Sequence, residues 1–119
     1  MITISDIIET LPAHVVYSTE NSHEIHIRAI VAGDLMSDVL VTLEPGCLLV
    51  TSLATEQSIR TADVVNAAAV LLVNDKLPAA GMKALAEECA IPLLATPLPL
   101  FEACIALNDI GKPVFPDIL

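Results

Sequence analysis

The sequence predicts an α/β domain with a mostly parallel sheet and flanking helices in alternating β-α order. Three observations carry that expectation. The chain has 119 residues, of which 55% are hydrophobic and 17% charged, with no Trp, one Tyr and two Phe. A core built from so few aromatics must be aliphatic, and Ile, Leu, Val and Ala suit strands buried on both faces. Wholly apolar runs of four to six residues then alternate with segments of helical periodicity, the arrangement that gives parallel strands and right-handed crossovers. A chain of this length is one domain, taken as residues 1–119.

The elements follow in order. Ile4, Ile7, Ile8 and Leu11 form a helical stripe, with Thr3 and Asp6 spaced as a capping box and Pro12 as the stop. His14–Tyr17 is a short strand, and Glu20-Asn21-Ser22 a turn. From Glu24 to Arg28 polar and apolar residues alternate, as in a half-exposed strand, which turns apolar through Ala29–Ala32 and stops at Gly33. Asp34 is placed to cap the next helix, whose stripe is Met36, Val39, Leu40 and Leu43, and Pro45-Gly46 ends it. Cys47–Val50 is a buried strand, with Thr51-Ser52 opening the loop behind it. Residues 56–66 are helical, with Ile59, Ala62 and Val65 inward and Arg60 and Asp63 paired outward. Ala68–Val73 is the next strand; Met82, Leu85, Ala86 and Cys89 mark a helix. A strand at Ile91–Ala95 tolerates its proline near the start. A helix from about Pro99 carries Leu100, Phe101, Cys104 and Leu107, with Gly111 at its end and an apolar tail, Val114–Leu119, beyond.

Charge narrows the partners. Fifteen acids oppose five bases, a formal net charge of −10, and Arg28, Arg60, Lys76, Lys83 and Lys112 are scattered. Nucleic acid requires clustered positive charge, so it is not an expected partner. No apolar run reaches the roughly 18 residues of a membrane span, and the N-terminus lacks a basic secretory start; a soluble, cytoplasmic protein is expected. Cys47, Cys89 and Cys104 are widely spaced without a CxxC pair, which argues against a zinc or iron–sulfur site, and they read as small buried thiols.

Ligands of open α/β sheets favour the carboxyl ends of the strands. Those ends carry Gly33, Asp34, Ser37 and Asp38, then Thr51 and Ser52, then Lys76, then Thr96. These eight are the candidate ligand-binding residues. Hydroxyls and helix N-termini suit a small anionic ligand, while Asp34, Asp38 and Asp75 oppose one unless Lys76 or a cation intervenes. The competing reading is purely structural: Asp34 and Thr96 as caps, Thr51-Ser52 as a turn. Asp34 and Asp38 make too thin a set for a metal site. His23 and His26 fall on opposite faces of a strand. The phosphate-loop pattern GxxxxGK[ST] and the pattern GxGxxG are both missing. No catalytic residue and no cofactor is therefore expected, and an enzyme is the weakest reading.

Taken together, Gly33–Leu40, Gly46–Thr51, Val73–Pro78, Ile91–Thr96 and Phe101–Cys104 resemble a DRTGG domain over about residues 27–111. The likeness is to short stand-alone members, which often accompany iron-only hydrogenase genes. It extends to domains fused to phosphate acetyltransferases or set within CBS-domain pyrophosphatases, and to the N-terminal domain of HPr kinase/phosphorylase. The namesake motif should follow Thr51, where this chain has Ser52-Leu53-Ala54-Thr55. The kinase activity of the HPr relatives belongs to a different domain. The resemblance implies a non-catalytic regulatory or assembly role, accessory to hydrogenase or central energy metabolism. The aliphatic content and the apolar tail point to self-association as a homodimer or to a protein partner. The alternative is a sensor of a phosphorylated metabolite or nucleotide in the strand-end crevice.

Overall fold

The computed structural model describes residues 2–42 and 44–111; the apolar tail and Leu43 lie outside the described residues. Among the described residues the strands are β1 (Ile2–Thr3), β2 (His14–Tyr17), β3 (His26–Ile27), β4 (Ala29–Ala32), β5 (Cys47–Thr51), β6 (Ala69–Leu72) and β7 (Leu93–Ala95). The α-helices among them are α1 (Ile4–Thr10), α2 (Met36–Thr42), α3 (Glu56–Val64), α4 (Ala80–Cys89) and α5 (Leu100–Gly111). The main sheet has five strands in the order β2-β7-β6-β5-β4, and a separate antiparallel pair joins β1 to β3. Four strands are parallel, as the alternating pattern predicts, while β2 runs antiparallel to β7. That exception has a local cause: α1 leads into β2 without a preceding parallel strand to cross over from.

The order of the parallel strands is monotonic, β4 through β7. Right-handed crossovers between successive neighbours send every connecting helix to the same face. The packing agrees with this. Met36 and Val39 of α2, Ile59 and Ala62 of α3, and Met82 and Ala86 of α4 share one buried cluster with Leu49, Val70 and Leu72. The opposite face, presented by Leu48, Val50, Ala69, Leu71 and Leu94, is covered by Ile4, Ile7 and Leu11 of α1 with Ala103 and Leu107 of α5. Alternation of side chains along each strand divides the two clusters, and every residue of β5 and β6 is buried.

Local chemistry sets the helix ends. The Thr3 hydroxyl accepts from the Asp6 amide at 3.2 Å while the Asp6 carboxylate accepts from the Thr3 amide at 2.9 Å, so the expected capping box forms. Several sequence readings need correction. Leu40 and Phe101, expected inward, are 45% and 75% exposed: α2 buries Met36 and Val39 against the sheet, and α5 buries Ala103 and Leu107 with Leu100, Cys104, Ala106 and Ile110 partly buried beside them. Arg60 pairs with Glu56 one turn back, not with Asp63, the i,i+4 neighbour on a helix surface. His23 lies in a 3₁₀ turn, Ser22–Glu24, outside any strand. Among the described residues no helix is long and apolar enough to cross a membrane.

Gly46 has φ +81°, and a Cβ built there would lie 2.8 Å from Arg28 Cδ, whose stem lies across it. Gly46→Ala therefore takes both a left-handed penalty and a contact with that stem. It should destabilise the domain by about 1–2 kcal/mol, read as a lower denaturant midpoint with an unchanged slope.

Candidate functional site

The carboxyl ends of β4 and β5 are joined by a single side chain. Gly33 continues the ladder, its amide donating to the Val50 carbonyl at 3.0 Å, and Asp34 then turns toward the end of β5. Its Oδ1 accepts from the Thr51 hydroxyl at 3.0 Å and the Ser52 amide at 2.7 Å; its Oδ2 accepts from the Ser52 hydroxyl at 2.7 Å. The expected capping of α2 by this carboxylate is not what forms; its acceptors serve the neighbouring strand instead. Thr51 likewise closes β5 as a fully buried residue and does not open the loop. Its hydroxyl also accepts from the Leu53 amide at 3.2 Å, fixing the turn.

Partial burial opposes ionisation of Asp34. The hydrogen bonds from the Ser52 amide, the Ser52 hydroxyl and the Thr51 hydroxyl, with the charge of Lys76 beyond, outweigh it and hold the carboxyl below its ordinary value. A carboxylate with three donors is the form these groups favour.

Beside this anchor is an open depression of about 310 Å³ lined by Ala32, Gly33, Asp34, Leu35, Asp38, Val39 and Thr42. Of the eight candidate residues, Gly33, Asp34 and Asp38 line it, whereas Thr51 and Ser52 stand behind Asp34 and orient it. Ser37 and Lys76 are exposed and outside the lining. Thr96 is elsewhere: buried at 1% exposure, its hydroxyl donates to the Pro12 carbonyl and accepts from the Leu98 amide. It ties β7 to the end of α1. Thr42 was missed by the sequence reading, although Asp34, Asp38 and Thr42 follow one another at intervals of four, which is one face of a helix.

A second turn beyond the strands is unusual. Asn74 and Asp75 both have positive φ, +65° and +55°. The turn is held by bonds from the Asn74 amide to the Leu98 carbonyl, from the Asp75 amide to the Thr96 carbonyl, and from the Leu100 amide to Asn74 Oδ1. This geometry presents Lys76 at the surface. Among the described residues no three His, Cys, Asp or Glu side chains are grouped to hold a metal ion. Burial pushes up the thiols of Cys47 and Cys104; for Cys89 burial acts with the negative charges of Asp63 and Glu88. All three favour the neutral thiol, a poor nucleophile.

Residues 6–110 match the profile of the DRTGG domain. The chain belongs to the DRTGG domain family. No curated protein matches it. Among solved structures, a similar one is the regulatory region, CBS and DRTGG domains, of a Clostridium perfringens pyrophosphatase complexed with its activator, diadenosine tetraphosphate. The TM-score is 0.68 at 14% identity, over 88% of this chain and 45% of that one. At this identity the likeness establishes the fold, and this chain spans less than half of that regulatory region.

Two outcomes test the Asp34 anchor. Thr51→Val keeps the shape of a buried side chain but removes one donor to Asp34 and the acceptor for Leu53; it should cost about 1–2 kcal/mol in denaturant unfolding. A carboxyl with a lowered folded value binds fewer protons folded than unfolded. The stability it contributes is complete above its ordinary value of 3.8 and is lost as pH falls through the lowered one. Asp34→Asn should therefore be less stable than wild type at neutral pH, with the gap closing on acidification; a gap independent of pH would refute the carboxylate's role.

Proposed function

We propose that this DRTGG domain is a regulatory module that senses a small nucleotide-type ligand at the depression beside β4 and α2. The observation that carries the reading is the Asp34 anchor: a carboxylate fixed by three donors at the carboxyl end of a parallel sheet, on the rim of an open hollow. Fixed carboxylates at such ends suit the hydroxyls of a sugar, as in dinucleotide-binding sheets. The phosphates of the same ligand would have to face away from Asp34 and Asp38, toward Lys76 or accompanied by a cation. The pyrophosphatase regulatory region, similar in fold, is complexed with a dinucleoside polyphosphate, and this supports a nucleotide as the first class to try. We read the module as cytoplasmic. We extend its setting to energy metabolism, hydrogenase accessory roles included, on the family resemblance alone.

A second reading, self-association as a homodimer or docking on a protein partner, has its own support. Leu35, Val41, Val64, Leu77 and Phe101 are all more than 60% exposed, large apolar side chains that a partner surface could cover.

A thermal-shift screen with nucleotides, dinucleoside polyphosphates and phosphorylated metabolites tests the sensor. A ligand at about 100 times its Kd adds roughly 2.7 kcal/mol, which raises Tm on the order of 10 °C for a domain of this size. Asp38→Asn, at an exposed helix position, should diminish that shift without altering the unliganded Tm. No shift from any of these compounds would remove the sensor reading and leave the protein-binding one.

A further inference from the structure

We propose that the free edge of β4 docks against a second copy of this chain, antiparallel about a two-fold axis, so that Arg28 of each copy meets the acidic depression of the other. The inference rests on the self-association reading and specifies its surface. Among the described residues β4 pairs on one side only, with β5; β1 pairs with β3 and stops short of it. Native sheets guard such edges with Lys, Pro, a bulge or a covering segment. Ala29-Ile30-Val31-Ala32 carries no charge and no proline within the strand, and Ala32 is exposed.

Charge complementarity selects the occupant. Arg28 immediately precedes β4, whereas Asp34 and Asp38 follow it, so the edge is positive at its start and negative past its end. A two-fold antiparallel pairing matches each end to its opposite, the self-complementarity an isologous interface requires. With Val31 opposite Val31 of the second copy, Ile30 faces Ala32, Ala29 faces Gly33 and Arg28 faces Asp34. Residues directly opposite in an antiparallel pair have Cα atoms about 4.5–5.5 Å apart, well within the reach of a guanidinium. Within one copy, among the described residues, the ion pair present is Arg60 with Glu56, so Arg28 makes none there, while Asp34 has its three donors and the more distant charge of Lys76. Leu35, 61% exposed and in the lining of the depression that follows β4, adds apolar surface next to the seam. The second copy thus brings a cation into contact with the hollow, whose own lining holds Asp34 and Asp38 but no base, and it makes the depression a site shared between copies.

Sedimentation equilibrium of the intact chain decides the matter, with amide exchange as a second readout. Wild type should show twice the 12.6 kDa chain mass. Arg28→Glu, and separately Ala32→Lys, should return it to a single chain mass, while Arg28→Lys keeps the dimer. Circular dichroism checks that each variant is folded. If a variant fails to fold, the wild type still answers, because the amides among residues 29–32 that face away from β5 should lose protection on dilution while those of β5 do not. A wild type that stays monomeric at every concentration overturns the self-association reading and this inference together. A dimer indifferent to Arg28→Glu and Ala32→Lys, with exchange at 29–32 independent of dilution, overturns the β4 edge alone.

Discussion

The architecture depends on the complete withdrawal of β5 and β6 from water, since Leu48, Leu49, Val50, Val70, Leu71 and Leu72 are all fully buried. Strands made only of aliphatic residues gain by burial on both faces, at roughly 25 cal/mol per Å² of apolar surface, and so they need two covering layers. A monotonic run of parallel strands can supply only one of these from its own crossovers. The other must come from helices outside the run, and α1 and α5 take that place. The capping box on α1 and the Thr96–Pro12 hydrogen bond then matter because they seat the helix that completes the sheet's second face.

The same topology shifts where a ligand can sit. In a doubly wound sheet the crevice opens where successive connections leave for opposite faces. Here the connections after β4, β5 and β6 all leave for one face, so no such crevice opens in the middle of the sheet. The hollow beside Asp34 lies at the border strand, between the end of β4 and the first turns of α2. It is bounded by the Asp34 bridge on its inner side. An acidic hollow at a border is a poor host for bare phosphate, and the distribution of charge around it becomes the feature on which any ligand specificity turns.

Much of this was legible in the residues. The aliphatic runs and the 3.6-residue stripes located each main helix and each strand of the large sheet, since periodicity reports which side is buried. What periodicity does not encode is pairing: nothing in His14–Tyr17 says that it will lie antiparallel beside β7. Leu40 and Phe101 fit the stripes numerically yet stay exposed, because periodicity marks a stripe without fixing how much of its width the sheet covers. Among the site residues the misreading was of a different kind. Asp34 has the chemistry of a cap, and a cap is the commonest use of an aspartate before a helix. Its actual partners, Thr51 and Ser52, lie in the next strand's terminus, and only the parallel pairing of β4 with β5 brings them within reach.

The division of helices between the faces also orders events in time. The side over Leu49 and Val70 is roofed by helices drawn from between the strands, so it can close as each β-α unit is added. The side over Leu48, Val50 and Leu71 needs segments from opposite ends of the sequence, α1 and α5. Contacts so distant along the chain are entropically expensive and form late. During synthesis that aliphatic surface stays only partly covered, by α1, until α5 has emerged, and an interruption before Leu100 leaves a half-clad sheet with every incentive to aggregate.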